Sequence, residues 1–297
     1  MLTIHHSPSR AQSEFLVGLT EGRAFLDGIR ASRNFADYLH KADFAITGYS
    51  GGGHTVGWAA QEAETYYPDA PIVGMVTGGV PADTNNTFFT LNGGDYSALG
   101  YMGAVAMSRA HPDVHHLFNE RFTKAGRQNF TKIMNGEWCE LQGQDAVSNV
   151  RIQTAFTGGD MFKEPVVMKH MEDEKLGAKV NRIPSKYLHS RNDQIVPWPQ
   201  MVNYITQQCQ QGAKLQLSWV TATGHISSGL RLMPQMFEDL VLMLEQGQKV
   251  TTCGIDPQGL AFMPTYANNT LDDLLGREAR NLLAYWDNQV ATGQFKY

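Results

Sequence analysis

The chain has 297 residues, enough for one large α/β domain or two smaller ones. With 42% hydrophobic and 18% charged residues it is far from a disordered composition and can build a core without metals or staples. A formal net charge of −5, with no run of Lys or Arg longer than two, argues against a nucleic-acid footprint, and no apolar stretch reaches the length of a membrane span.

The opening residues MLTIHHSPSRAQSEF lack the basic and apolar regions of a signal peptide. Residues 11–32 carry apolar side chains at 15, 16, 19, 24–26 and 29, the spacing of a helix. Residues 43–49 (DFAITGY) form a short apolar run that reads as a buried strand. Residues 52–67 return to helical spacing, with Val56, Ala59, Ala60, Ala63 and Tyr67 on one face; the small side chains let such a helix lie close to a sheet. Residues 71–78 (PIVGMVTG) read as a second buried strand. Strand, helix and strand in this order make a βαβ unit with parallel strands and a right-handed crossover.

From residue 84 to about 180 the pattern changes to helical segments near 98–110, 115–134 and 163–175, with polar, Gly-rich joints and no convincing strand. Strand character resumes at 184–191 and 214–222, with a helix near 198–211 between them. A further helix is predicted over 231–247, and another over 271–288, opened by Thr270 and Asp272. The expected architecture is α/β: a core over 1–83 and 181–297, its parallel sheet flanked by helices, interrupted by a helical insertion at 84–180.

The motif G-x-S-x-G occupies residues 48–52. The pentapeptide alone is weak, because Gly and Ser are common. Its setting carries the weight: a strand precedes it and a helix follows, the context of a nucleophile elbow. A serine on so tight a turn adopts strained backbone angles, so its neighbours must be small. Gly48, Gly51 and Gly52 meet that need. The next helix points its N-terminus at the place where negative charge develops, and the Gly51 N–H is the expected first oxyanion donor. The plain alternative is a glycine-rich turn with a solvated Ser50.

A serine nucleophile needs a base, and the base needs an orienting acid; in this fold class the chain order is Ser, then Asp or Glu, then His. Residues 189–197 (HSRNDQIVP) follow a predicted strand and match the H-G-x-x-D-x-x-V-P loop common in such hydrolases, with Ser190 in place of Gly. Asp193 is the candidate acid, with a helix cap as its plain alternative. His225 follows Gly224 after the next strand and is the candidate base, with a structural histidine as its alternative. His54 comes from the wrong element to be the base and reads as a packing residue. His111, His115 and His116 read as surface residues of the insert, and Asp160 and Glu164 as alternative acids with no strand before them. Such a triad needs no metal and no organic cofactor. Cys139, Cys209 and Cys253 form no C-x-x-C pair, which argues against zinc. N-x-T sequons at Asn85, Asn129 and Asn268 point weakly to secretion.

Four stretches carry a resemblance: EGRAFLDGIRASRNF at 21–35, ITGYSGGGHTVGWAAQEAETYYPDAPIVG at 46–74, NTFFTLNGGDYSALGYMG at 86–103 and HSRNDQIVPW at 189–198. Together they resemble the fungal secretory lipase family of the lipase A type, over residues from about 12 to about 255. The resemblance implies an α/β-hydrolase fold, hydrolysis of triacylglycerols and other esters, a helical lid and an extracellular protein. It carries nucleophile, acid and base onto Ser50, Asp193 and His225. It also pairs Cys209 with Cys253 in a disulfide. Members of the family have a long segment before the helix that begins near residue 12, which supplies the first strands and the second oxyanion donor. The expectation is therefore an N-terminally incomplete chain, with the 43–49 strand at a bare sheet edge and the partner of Cys139 in the absent segment.

These readings leave three hypotheses. The first is a lipase or esterase acting on a lipid or ester substrate, at a lipid–water interface if the insert is a lid. Phe88-Phe89-Thr90-Leu91 and Tyr101 to Met107 would then line an acyl tunnel, or equally form plain lid core. The second is an impaired fragment with the triad but without a complete oxyanion hole. The third is an acyltransferase or peptidase on the same fold.

Overall fold

A parallel sheet organises the chain: β1 (Phe44–Tyr49), β2 (Ile72–Gly78), β3 (Ser185–Ser190), β4 (Leu215–Val220) and β5 (Gly254–Ile255) stand in that order. The computed structural model describes residues 15–138, 140–221 and 224–260. The helix expected at 271–288, the Asn268 sequon and Cys139 lie outside them. Each strand pairs with its predecessor in the chain; the β2–β3 connection is long, running through residues 79–184, while single-helix crossovers make the others. Helix α2 (Gly51–Tyr66) joins β1 to β2, α9 (Trp198–Gln210) joins β3 to β4, and α10 (His225–Glu245) leads from β4 towards β5. Among the described residues β1 pairs only with β2, so it forms an edge of the sheet.

Both faces of the sheet are covered, which is why β2 reads as a near-continuous apolar run, whereas β3 (SKYLHS) and β4 (LQLSWV) carry polar residues among the apolar ones. Met75, Tyr187, Leu215 and Leu217 pack on one face with Leu26 and Ile29 of α1 (Gly18–Phe35), Val56 and Ala59 of α2, and Met201 and Ile205 of α9. The next residues along, Val76 and Leu188, point to the other face and pack with Leu232, Met236 and Leu240 of α10. The switch between neighbours is the two-residue period of a strand. The small face of α2 does what its composition suggests. A Cβ on Gly22 of α1 would lie 2.7 Å from the Trp58 carbonyl carbon, so the two helices touch backbone to backbone at a glycine.

A disulfide joins Cys209, in the last turn of α9, to Cys253, the residue before β5, with their Cα atoms 5.4 Å apart. This is the pairing the resemblance implied.

The chain divides into two compact units: residues 22–82 with 176–297, which hold the sheet, and residues 1–21 with 83–175. The division falls inside α1, so the described residues before Gly22 group with the helices and not with the sheet. The helical unit holds α3 (Thr84–Leu91), α4 (Ser97–Ala110), α5 (Pro112–Arg121), α6 (Lys124–Met134), α7 (Glu140–Val147) and α8 (Pro165–Asp173). Its core is aromatic: Phe118 contacts Phe122, Phe130, Phe156 and Phe162 at ring separations of 4.8–6.2 Å. The helix expected over 115–134 is two helices. Phe122 leaves helical geometry, stacks on Phe156 at 5.0 Å and forms an isolated bridge with it, and Thr123 then caps α6 by accepting from Gly126 N at 3.0 Å. No described helix is long and apolar enough to cross a membrane.

Candidate active site

The C-terminal end of β1 delivers Ser50 into a turn. Its φ is +56° and its ψ −121°, a left-handed conformation that a non-glycine residue holds only when its surroundings force it. The forcing contacts come from β2 and α2. Ser50 N donates to Gly78 O at 2.9 Å, and His54 N donates back to Ser50 O at 3.0 Å, the first helical bond of α2. Thr77 Oγ1 donates to Gly48 O at 2.8 Å. A side chain at Gly48 would overlap the Gly52 carbonyl, so this position admits only hydrogen.

Gly52 behaves differently from expectation. A Cβ there meets nothing within 4 Å, so sterics within the turn do not require glycine at 52. The close approach falls one residue later, where a Cβ on Gly53 would lie 2.8 Å from Val80 Cγ2 and 2.9 Å from Thr77 Oγ1. Gly51 is the first residue of α2, where backbone N–H groups have no helical acceptor.

Asp193 lies on the loop after β3, its carboxylate wholly buried. Oδ1 accepts from Ile195 N at 2.9 Å and Val196 N at 2.7 Å. Oδ2 accepts from His225 Nδ1 at 2.6 Å, and His225 Nε2 lies 2.7 Å from Ser50 Oγ. The two bonds fix the tautomer: Nδ1 carries the proton, and Nε2 is the acceptor for the serine hydroxyl. His189 Nε2 donates to Val196 O at 2.9 Å and lies 3.6 Å from Asp193 Oδ2. Burial pushes the His189 imidazole below its ordinary range, so it stays neutral beside the buried carboxylate. The arrangement therefore places a hydroxyl against one imidazole nitrogen of His225 and one buried carboxylate against the other.

The other residues singled out from sequence are placed elsewhere. His54 is fully buried and accepts from Trp58 Nε1 at 3.0 Å, the packing role expected of it. Asp160 accepts from Phe162 N at the start of a short helical turn, and Glu164 pairs with Arg121 at 2.6 Å. Both belong to the helical unit. His115 and His116 are exposed, but His111 is not a surface residue: it is half-buried and stacks on His170 at 3.7 Å.

Residues 8–240 match the model of the secretory lipase family. The chain belongs to that family. It is 28% identical over 284 residues to lipase A of Moesziomyces aphidis, across 92% of this chain and 60% of that protein. A secreted triacylglycerol lipase of Malassezia globosa is 30% identical over 220 residues, across 71% of this chain and 47% of that one. The closed state of Candida antarctica lipase A superposes with a TM-score of 0.83 at 26% identity, across 91% of this chain and 64% of that one. The rice cell wall degrading esterase LipA of Xanthomonas oryzae shares the fold, with a TM-score of 0.64 at 18% identity. The sheet and its flanking helices are thus the α/β-hydrolase fold. The chain spans 47% to 64% of the length of the three secretory lipases compared.

Two further features bear on function, and only the second, the grouping of residues 88–91 with 101–107, was raised by the sequence. Tyr49 Oη donates to His225 O at 2.6 Å, and Gln194 Oε1 accepts from His225 N at 2.9 Å. Their only sequence signal is position, next to Ser50 and Asp193. The second feature is an apolar cavity of about 50 Å³ within the helical unit, lined by Phe88, Leu91, Gly103, Ala104 and Met107 among others. The two tracts named from sequence, 88–91 and 101–107, thus share one cavity, while Phe88, Tyr101 and Ala104 also belong to the aromatic core.

Proposed function

We propose that this chain carries the catalytic site of a secreted serine hydrolase that cleaves triacylglycerols and related carboxylic esters. The observation that carries the reading is the pair of short bonds at His225, 2.7 Å to Ser50 Oγ and 2.6 Å to Asp193 Oδ2. Ser50 Oγ attacks the ester carbonyl carbon while His225 Nε2 takes its proton. The carbonyl oxygen gains negative charge, which the Gly51 N–H and the N-terminal end of α2 stabilise. Collapse of the tetrahedral species expels the alcohol, which leaves with the proton held by His225. Water, deprotonated by His225 in turn, hydrolyses the acyl-enzyme. Asp193 holds the imidazole in the productive tautomer and offsets its charge when protonated.

In this reading the helical insertion at 84–180 is the lid, and the apolar cavity of the helical unit takes part of the acyl chain. Secretion is supported by the Cys209–Cys253 disulfide, which suits an oxidising compartment, and by relatives named as secreted lipases. The test is hydrolysis of p-nitrophenyl esters of graded length and of emulsified triacylglycerol, with Ser50→Ala in parallel. The reading expects turnover of both substrate types, abolished in Ser50→Ala. Turnover that survives Ser50→Ala contradicts it.

A further inference from the structure

His225 is gripped by its backbone as well as by its ring. It is the first residue of α10, and the residue before it, Gly224, provides no side-chain cap. A residue at a helix start lacks the preceding turn that holds interior residues, so its position must be fixed from elsewhere. Two neighbours do this. Gln194 Oε1 accepts the His225 N–H at 2.9 Å, and the Tyr49 hydroxyl donates to the His225 carbonyl at 2.6 Å. Ser228 Oγ lies 2.8 Å from Tyr49 Oη and donates to the same carbonyl at 2.9 Å. The Tyr49 ring sits 5.2 Å from the His225 ring. It is closely walled: a Cβ on Gly79, whose φ is +57°, would lie 2.7 Å from its Cζ, and one on Gly229 2.8 Å from its Cε1. The tyrosine therefore has one place to be, and from that place its hydroxyl reaches the base.

We propose that Tyr49 and Gln194 are positioning residues for the base. The residue before the nucleophile and the residue after the acid each hold the His225 backbone, so the three elements bearing the triad are locked together at one residue. The inference rests on the triad reading above. Proton transfer needs His225 Nε2 within hydrogen-bond reach of Ser50, and a shift of about 1 Å in such a group costs on the order of 10²-fold in rate.

The test uses Tyr49→Phe, which keeps the ring and removes only the hydroxyl, and Gln194→Met, which keeps length and removes the acceptor. Each is expected to lower kcat for a soluble ester by about 10-fold or more with KM within about twofold. Gln194→Glu restores an acceptor oxygen; it should recover most of kcat above pH 8 and move the acid limb of the pH profile upward, because its carboxylate favours the imidazolium. Tyr66→Phe, which removes a hydroxyl bonded to Asp27 on the surface, is the control and should leave kcat unchanged. If wild type turns over esters and both Tyr49→Phe and Gln194→Met stay within twofold in kcat, the clamp is overturned while the triad stands. A loss of thermal stability without loss of kcat likewise overturns it. If wild type itself is inactive, the hydrolase reading fails, and the clamp is read from the low-field NMR signal of the His225 Nδ1 proton bonded to Asp193. That signal should broaden or vanish in Tyr49→Phe; an unchanged signal overturns the proposal.

Discussion

Breaking the Cys209–Cys253 bridge should unfasten the far edge of the sheet at a calculable cost. The cysteines are 44 residues apart. Closing a loop of that length lowers the entropy of the unfolded chain by about 13 cal/mol/K, about 4 kcal/mol at 25 °C. In the folded chain the bridge ties β5 to the end of α9. That strand has two residues, Gly254 and Ile255, paired with Gln216 and Leu217 of β4; Asp256 N and Leu260 N bond β4 on its C-terminal side, and the bridge is the covalent tie on its N-terminal side. The double variant Cys209→Ser/Cys253→Ser should lose about 4 kcal/mol, which lowers Tm by about 8–16 °C for a domain of this size. Urea unfolding followed by tryptophan fluorescence is the assay, with wild type measured with and without reductant. Limited proteolysis should find a new cut in residues 246–253 of the variant. A loss below about 1 kcal/mol, with the m-value unchanged, refutes the account of the bridge as the fastening of β5.

Asp193→Asn should lower kcat by about 10⁴-fold with little change in KM, because the imidazole then favours the wrong tautomer; a loss below tenfold in steady-state assays contradicts the role given to Asp193. Glu62, buried in α2, accepts from Arg23 at 3.0 Å and pairs with Lys179. Burial pushes its carboxyl up, but the bonds and charges of Lys179 and Arg23 outweigh this and hold it below the ordinary value of 4.5. Its folded pKa is depressed, so its contribution is complete above 4.5 and is lost as pH falls through the folded value. Glu62→Gln should cost about 2 kcal/mol at pH 7, and the gap to wild type should close at acid pH; a constant gap from neutral pH to pH 3 in thermal melts speaks against it. Gly103 lines the cavity of the helical unit, and a Cβ there meets nothing within 4 Å. Gly103→Leu should fill that space and shift ester preference to shorter acyl chains without a loss of kcat on acetate; an unchanged chain-length profile argues against acyl binding there.

The sheet and the triad were legible because each rests on local signals. Residues 44–49 and 72–78 are apolar apart from Thr47 and Thr77, the pattern of parallel strands under helices, and the elbow is written in five consecutive residues. What was missed depends on long-range contacts. The start of α10 at His225 lies six residues before the expected 231, in a stretch (HISSGL) of weak helix formers. Bonds from Gln194 and Tyr49 hold it, and neither is visible in local spacing. The break between α5 and α6 is invisible to periodicity because apolar residues continue across it. Phe122 turns aside to stack on Phe156, 34 residues away. Helix α3 has few good helix formers and is started by Asp83, which accepts from Asn86 N at 2.9 Å. The need for glycine at 53 rather than 52 comes from Val80 and Thr77 on and after β2, which no motif records.

The central claim is that Ser50 is a nucleophile activated by His225. Labelling of the purified, folded chain with a fluorophosphonate probe tests it most directly, since the probe bonds only to a serine whose proton is being removed. The account predicts stoichiometric labelling at the peptide containing Ser50, absent in Ser50→Ala and slowed at least 10³-fold, on the order of a lost base, in His225→Ala. Folded protein that takes no label, or that labels equally well in His225→Ala, contradicts it.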